Sequence, residues 1–198
     1  MGGRILSSPH QVRVSDARPQ PWRNGGGVTR ELLLWPDAQA WQVRVSVADI
    51  AADGPFSSFE GVDRGFAVLE GAGVILGLPG KEQTVTSHSE PVLFNGELAP
   101  SCRLLCGPTR DLNLMVRRGS GMLHLSRAQP GQAWGHNLQW RALFCWDEAR
   151  LQTQTESDLN VLDLPAGTLC WSSPTSTDRA PWQLLSGSQV FWLGLEAA

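Results

Sequence analysis

The 198-residue sequence contains no tyrosine and a single lysine, Lys81, compared with 15 arginines. The net charge at pH 7 is −3. A protein that binds the phosphate backbone needs a surplus of basic residues on one face, so this balance argues against nucleic acid as the main partner. Arginine captures carboxylates better than lysine does, although the codons of a GC-rich genome give the same bias. Position along the chain must therefore decide which arginines are functional.

Signals for export and membrane insertion are also missing. No run of 18 apolar residues occurs, and the chain does not start with the apolar stretch of a leader peptide. The cysteines form no CxxC pair and show no regular spacing. These absences predict a cytoplasmic protein that does not enter a membrane and whose cysteines are reduced core residues. The cysteines are Cys102, Cys106, Cys145 and Cys170.

What the sequence does contain is an alternation of apolar and polar residues, which is typical of strands with one buried face. Residues 41–47, Trp-Gln-Val-Arg-Val-Ser-Val, show it most clearly. Twenty-one glycines and 13 prolines interrupt the short apolar segments, so we expect an all-β sandwich or barrel. Residues 66–76 are predicted to form a hairpin around Gly71-Ala72-Gly73. The only helical candidate is the stretch 147–156.

The strands are predicted to form two halves. Residues 1–118 hold most of the arginines and the expected ligand pocket, and residues 119–198 form a second strand-rich half that is mainly structural. No low-complexity linker separates them, so we expect the two halves to pack as one body.

A glycine-rich segment, residues 21–31, has the composition of a binding loop. It reads Pro-Trp-Arg-Asn-Gly-Gly-Gly-Val-Thr-Arg-Glu. Three consecutive glycines indicate positive φ angles or a close approach of the backbone, and free N–H groups beside an arginine favour an anion. The alternative is a plain turn with charged strand edges. The candidate ligand-binding residues here are Trp22, Arg23, Asn24, Gly25, Thr29 and Glu31.

Three later segments add further candidates. Alternation places Arg44 on the strand face opposite Val43 and Val45, which is either solvent or the lumen of a barrel. A loop that Phe56 and Phe59 would anchor leads to Arg64. In the segment 111–118, three residues share one strand face, and the first of them could hold an arginine in place. These three are Asp111, Asn113 and Met115.

The motifs WRNGGGVTREL, WQVRVSVADIAADGPFSSFEGVDR, VLEGAG and DLNLMVRR, together with the later AGTLCW, resemble the HutD/Ves family in order and spacing. Two positions depart from the family pattern, Glu60 in place of proline and Leu112 in place of phenylalanine. The resemblance implies a double-cupin fold, with two β-barrel (jelly-roll) halves in one chain. It also implies an association with bacterial histidine utilisation and binding of a pathway intermediate, N-formylglutamate or urocanate.

The histidines do not match a metal-binding cupin. Such proteins hold the metal through an HxH pair, a carboxylate and a later histidine, whereas no two histidines of this chain are separated by one residue. Neither GxSxG, a P-loop nor GxGxxG is present. We therefore expect no metal and no cofactor. The four histidines are His10, His88, His124 and His136.

The favoured hypothesis is a pocket that senses a small carboxylate metabolite. Arg23, Arg44 and Arg64 would bind carboxylates, and two asparagines, Asn24 and Asn113, would orient a formyl or amide group. Asp111 or Glu31 would hold the arginines. Two alternatives remain: a metal-independent isomerase or lyase in which Glu31 or Asp111 moves a proton, and an interaction module without a ligand.

The tryptophans give less specific expectations. Trp22 and Trp35 are candidates for the pocket wall, and most of the others are expected in the core. Trp182 and Trp192 are candidates for a contact in a homodimer.

Overall fold

The computed structural model describes residues 9–154, 159–173 and 180–197. They form nineteen strands and one short 3-10 helix, Val14–Asp16, and contain no α-helix. The all-β prediction is confirmed. The first eleven strands are β1 His10–Arg13, β2 Pro19–Pro21, β3 Gly27–Trp35, β4 Val43–Ile50, β5 Gly54–Pro55, β6 Val62–Glu70, β7 Val74–Leu78, β8 Lys81–Val85, β9 Val92–Asn95, β10 Ser101–Leu104 and β11 Thr109–Arg117. The remaining strands are β12 Met122–Arg127, β13 Ala133–Trp134, β14 Leu138–Cys145, β15 Ala149–Gln154, β16 Leu159–Leu164, β17 Thr168–Ser172, β18 Trp182–Ser186 and β19 Val190–Glu196.

The strands form four antiparallel sheets with a repeated order. Sheet I has the order β2-β3-β4-β11-β6-β9, and sheet II has the order β5-β10-β7-β8. Sheet III has the order β1-β17-β14-β19-β12, and sheet IV has the order β13-β18-β15-β16. The run β4-β11-β6-β9 thus corresponds to β12-β19-β14-β17, and sheet II corresponds to sheet IV. One strand crosses between the halves of the sequence, because β1 pairs with β17. The division at residue 118 stays a prediction.

Three apolar cores lie between the four sheets. The central core joins sheet I to sheet III and includes Val45, Leu114, Trp140 and Phe191. A second core, around Phe66 and other apolar residues, lies between sheets I and II, and a third lies between sheets III and IV. Period-two alternation sends one face of sheet I into the central core and leaves the other face toward sheet II. Any polar residue on that second face therefore lies between two sheets.

The predicted hairpin at residues 66–76 is wrong. Both strands exist, but β6 pairs with β11 and β9 in sheet I, whereas β7 pairs with β10 and β8 in sheet II. Gly71 and Gly73 have φ angles of 94° and 104°. A Cβ atom on them would lie 2.6 Å from the carbonyl oxygen of Pro108 and 2.3 Å from that of Val85, respectively. These glycines therefore allow the chain to pass from sheet I to sheet II, and they do not form a tight hairpin turn.

The helical candidate at residues 147–156 is also wrong. Its described part contains β15, in which Ala149, Leu151 and Thr153 are buried and alternate with more exposed residues. That is the period of a strand, and β15 pairs with both β16 and β18. Residues 155 and 156 lie outside the described residues.

The expectation that all four cysteines lie in the core needs correction. Cys106 is exposed, whereas Cys102, Cys145 and Cys170 are buried free thiols. Burial raises the pKa of these three to about 12, 11 and 12, so they stay protonated at neutral pH.

The late tryptophans do not lie at the surface. Trp182 and Trp192 are 1% and 0% exposed, so neither is available for contact with a second copy. Trp35 packs against the central core and does not line the cavity described below. Within residues 9–154, 159–173 and 180–197, no helix is long and apolar enough to span a bilayer.

Candidate functional site

A cavity of about 850 Å³ opens between sheet I and the loop from β5 to β6. Its volume falls within the range of roughly 300–1,000 Å³ that small-molecule sites usually have. Nine of the eleven sequence-predicted residues line it, and Gly25 and Glu31 do not. The lining residues are Gln20, Pro21, Trp22, Arg23, Asn24, Thr29, Arg44, Ser46, Ala48, Pro55, Phe56, Ser57, Ser58, Phe59, Arg64, Asp111, Asn113 and Met115.

Strand register explains why distant residues meet here. Met115 of β11 lies opposite Arg44 of β4 on one side and opposite Arg64 of β6 on the other. Residues directly opposite on neighbouring strands have Cβ atoms about 4.5–5.5 Å apart. The two guanidinium groups therefore flank one methionine on the same sheet face. Nη1 of Arg44 lies 3.9 Å from the sulfur of Met115.

Arg64 is a buried cation surrounded by aromatic rings. It is only 5% exposed, and its guanidinium carbon lies 5.1, 5.6 and 5.2 Å from the ring centres of Phe56, Phe59 and Phe94. Nη1 donates to the carbonyl oxygen of Ser57 at 3.3 Å. Nε has no hydrogen-bond partner, and no carboxylate of the described residues lies within ion-pair distance. Burial lowers the pKa of Arg64 to about 10, so it is still charged at neutral pH.

Asn113 connects Arg64 to Asp111. Nη2 of Arg64 donates to Oδ1 of Asn113 at 2.7 Å, and Nδ2 of Asn113 donates to Oδ1 of Asp111. Asp111 is 1% exposed, and its Oδ2 atom has no partner. Burial raises the pKa of Asp111 well above its ordinary value, although the charge of Arg64 opposes this. The Asp111 side chain therefore does not form a direct ion pair with an arginine, contrary to the expectation that it holds one; it acts through Asn113.

Arg44 does have a carboxylate partner. Its Nε atom lies 2.8 Å from Oε2 of Glu31, and the two side chains are 20% and 27% exposed. Glu31 lies outside the cavity wall, so the structure places it beside an arginine and not in the space a ligand would fill. This matches the holding role that the sequence suggests for Glu31.

The glycine-rich segment forms one rim of the cavity. Nε1 of Trp22 donates to Oγ1 of Thr29 at 2.8 Å, which fixes the indole. A Cβ atom at Gly27 would lie 2.9 Å from that indole, so only glycine lets it pack on the backbone. Oδ1 of Asn24 accepts from the backbone N–H of Gly26 at 3.0 Å. The predicted loop is thus largely a turn that positions Trp22.

The remaining predicted residues of this segment are more exposed. Arg23, Asn24 and Gly25 all lie at the surface. Gly25 has a φ angle of 71°, which the turn requires, and it does not face the cavity. Arg23 lies at the mouth, whereas Arg44 and Arg64 lie inside.

Sequence reasoning missed part of the wall. Ser46 lies opposite Asn113 and shares the strand face of Arg44, so the alternation that located Arg44 could also have located it. Phe94 packs on Arg64 from β9, and nothing local in the sequence links the two. Arg30, by contrast, does not line the cavity, and its Nη1 atom lies 2.6 Å from Oδ2 of Asp49.

Across residues 9–154, 159–173 and 180–197, no group of three or more His, Cys, Asp or Glu side chains is arranged to hold a metal ion. His124 lies in the second half, where Nε2 is 2.8 Å from Oε2 of Glu196.

Comparison with known proteins is consistent with the sequence motifs. An uncharacterised 21.2 kDa protein in the hutC 3' region of Pseudomonas putida is 37% identical over 114 residues, which cover 56% of this chain and 59% of that protein. Protein Ves of Citrobacter koseri is 40% identical over 109 residues, which cover 52% of this chain and 56% of that protein. The matched region thus spans little more than half the length of these curated relatives.

A crystal structure of HutD from Pseudomonas fluorescens SBW25 superposes with a TM-score of 0.79 at 25% identity, covering 96% of this chain and 100% of that one. The fold is the all-β double-cupin fold that the resemblance implies. The HutD family profile matches residues 14–191. The chain therefore belongs to the HutD family.

Proposed function

We propose that the cavity binds a small carboxylate metabolite and that the protein acts as a sensor or regulator of histidine utilisation. The observation that carries this proposal is Arg64, which lines the cavity with a buried guanidinium group whose Nε has no hydrogen-bond partner. A buried charge without a counter-charge is unfavourable, and an anionic ligand would offset that cost.

The surroundings of Arg64 favour a small organic acid over an inorganic ion. Arg44 supplies a second cation two strands away, so a ligand with two acidic or polar ends can span both groups. Phe56, Phe59 and Trp22 offer apolar walls for a carbon skeleton. Two or three charge-assisted hydrogen bonds of about 1.5–3 kcal/mol each would give micromolar-range binding. N-formyl-L-glutamate and urocanate both meet these requirements.

Asn113 takes a different role from the one suggested by sequence. Its amide oxygen accepts from Arg64, and its amide nitrogen donates to Asp111. In the proposed site it holds Arg64 in place, and recognition of a formyl or amide group falls to other atoms.

The link to histidine utilisation rests on the relatives. One is described only by its position beside hutC in Pseudomonas putida, and another is named HutD. Membership of the HutD family supports the same role for this chain.

The second half supports the proposal by contrast. Gly194 of β19 lies opposite His124 of β12 and Arg141 of β14, as Met115 lies opposite Arg44 and Arg64 in the first half.

The arginine of this second group is bound by other groups of the protein. Arg141 donates to Oγ of Ser172 at 3.1 Å and to the carbonyl oxygens of Gly135 and Ala180 at 3.2 and 2.6 Å. A Cβ atom at Gly194 would lie 2.5 Å from Leu138. These contacts support a mainly structural second half.

A metal-independent isomerase or lyase is the second candidate. The observation that favours it is the unpartnered Oδ2 of Asp111, whose raised pKa suits a general acid. Following each candidate acid by NMR with the protein present separates the two functions, because a sensor leaves the acid unchanged and an enzyme converts it.

Thermal unfolding with a ligand panel tests the binding proposal. N-formyl-L-glutamate, urocanate, glutamate and histidine are added to the wild type, to Arg64→Met and to Arg103→Gln. Arg103 is an exposed arginine of β10 that pairs with Glu82 and is absent from the cavity wall, so it is the matched control.

An acid present at roughly a hundred times its Kd stabilises the fold by about 2.7 kcal/mol. We expect that stabilisation for the wild type and Arg103→Gln and its loss for Arg64→Met. If none of the four acids stabilises the wild type and a protein partner is captured instead, the interaction-module hypothesis replaces this one.

A further inference from the structure

Asp111 is an anomaly in a site proposed to bind an anion. It lies on the wall of the same cavity as Arg44 and Arg64, and it is 1% exposed. An ionised carboxylate there would repel the carboxylate of a ligand in a medium of low dielectric constant. The residue must therefore either work against binding or be present in its neutral form.

Hydrogen bonding fixes which oxygen of Asp111 is available. Arginine has no acceptor atom, so the atom of Asn113 that faces Arg64 must be its amide oxygen. The amide nitrogen of Asn113 then faces Asp111 and donates to Oδ1. Oδ1 is thus occupied as an acceptor, and Oδ2 is the atom left without a partner. A proton on Asp111 belongs on Oδ2.

Burial raises the pKa of Asp111, and the neighbouring groups offset this effect only in part. The charged and titratable groups that act on it are Arg64 of β6, Asp49 of β4 and the thiol of Cys102 on β10. Arg64 favours the ionised form and Asp49 opposes it, while burial raises the pKa of Cys102 to about 12 and keeps that thiol neutral. Across the strands Asp111 lies opposite two apolar residues, Ala48 and Val68.

We infer that Asp111 is a neutral carboxylic acid in the complex and donates a hydrogen bond from Oδ2 to an acceptor atom of the bound acid. This inference rests on the proposed function and names a specificity determinant of the same site. The ligand class becomes an acid with a second acceptor, such as a formyl, amide or further carboxylate oxygen or a neutral imidazole nitrogen. Affinity falls as the pH rises through the pKa of Asp111, because the ionised form has no proton to donate.

The test is the carbon-13 NMR shift of the Asp111 side-chain carboxyl carbon in protein labelled at aspartate. The resonance is assigned by its loss in Asp111→Asn and recorded at neutral pH without ligand and with saturating N-formyl-L-glutamate or urocanate. We expect the shift of a protonated carboxyl group in the complex. A probe that binds while Asp111 shows the shift of an ionised carboxylate overturns the inference and leaves the proposed function standing.

Affinities measured by titration calorimetry supply the second readout. The amide of Asp111→Asn can accept from Asn113 with its oxygen and donate to the ligand with its nitrogen, so it replaces the neutral acid. Asp111→Ala removes both bonds. We expect the Asn variant to bind the probe about tenfold more tightly than the Ala variant, the ratio expected for one buried hydrogen bond.

The remaining outcomes are also decisive. Equal affinities of the Asn and Ala variants overturn the donor role. Absence of binding by either probe in the wild type overturns the proposed function, and the inference falls with it.

Discussion

Arg64→Met distinguishes an arginine kept for a ligand from one kept for stability. The fall in the pKa of Arg64 from 12.5 to about 10 corresponds to about 3 kcal/mol, since a tenfold change in proton affinity is worth about 1.4 kcal/mol. The pKa is depressed in the folded state, so this cost is present at all pH values below about 10 and disappears only above 12.5. Methionine removes that cost and fills similar space among the three phenylalanine rings.

The same substitution removes the hydrogen bonds from Arg64 to Asn113 and to the Ser57 carbonyl. Hydrogen bonds that involve a charged group contribute about 1.5–3 kcal/mol each, so the two bonds together equal the gain or exceed it by up to about 3 kcal/mol. We expect the free energy of unfolding without ligand to fall by no more than about 3 kcal/mol in urea titrations, whereas acid binding falls at least about 100-fold. Removing one partner of a structural buried ion pair costs about 3–5 kcal/mol, so a loss clearly above about 3 kcal/mol would show that Arg64 is kept for stability.

Three further substitutions test other parts of the account. Leu114→Ala in the central core should lower the free energy of unfolding by about 2–5 kcal/mol in urea without changing the affinity of the folded protein for acids, because Leu114 faces away from the cavity. Gly27→Ala should destabilise by about 1–3 kcal/mol and weaken acid binding, since its Cβ would lie 2.4 Å from the carbonyl oxygen of Asp49 and 2.9 Å from the Trp22 ring. Gly54→Ala, with nothing within 4 Å of its Cβ, is the control and should do neither. Burial raises the pKa of Asp49, but hydrogen bonds from two arginines lower it more, so its ionised form stabilises the fold above pH 3.8 and that contribution is lost as the pH falls further. Asp49→Asn should therefore flatten the loss of stability at acid pH in titrations followed by circular dichroism, and an unchanged loss would contradict this.

The sequence predicted the faces of the strands well because alternation is a local property. Val43, Val45 and Val47 are buried in the central core, and Arg44 points the other way, as the pattern indicates. Alternation alone could not tell whether that second face meets water or another sheet. The answer depends on the loop from β5 to β6 and on the strands of sheet II, most of which lie at residues 74–104, well beyond Arg44 in the sequence.

Strand pairing was predicted less well because partners are chosen by tertiary packing. The segment Gly71-Ala72-Gly73 has the composition of a hairpin turn, yet it carries the chain from sheet I to sheet II. A turn motif specifies φ angles and not the sheet in which the next strand is placed. Residues 149–154 were missed as a strand because their buried positions include the small Ala149 and the polar Thr153.

The sequence predicted the residues around the cavity more completely than the hydrogen bonds among them. Most of the predicted residues surround one cavity, since motifs at the same level of adjacent strands meet whenever the register aligns them. The link from Arg64 through Asn113 to Asp111 joins residues 49 positions apart and depends on that register. No local pattern distinguishes a ligand-facing asparagine from one that holds an arginine.

The most direct test of acid binding at Arg64 observes the Nε–H group of this residue. In nitrogen-15 NMR spectra, with the resonance assigned by its absence in Arg64→Met, titration with N-formyl-L-glutamate or urocanate should shift this signal saturably. The exposed Arg103 signal should stay in place. A thermal stabilisation by either acid that leaves the Arg64 signal unmoved would contradict the account, because the acid would then bind elsewhere.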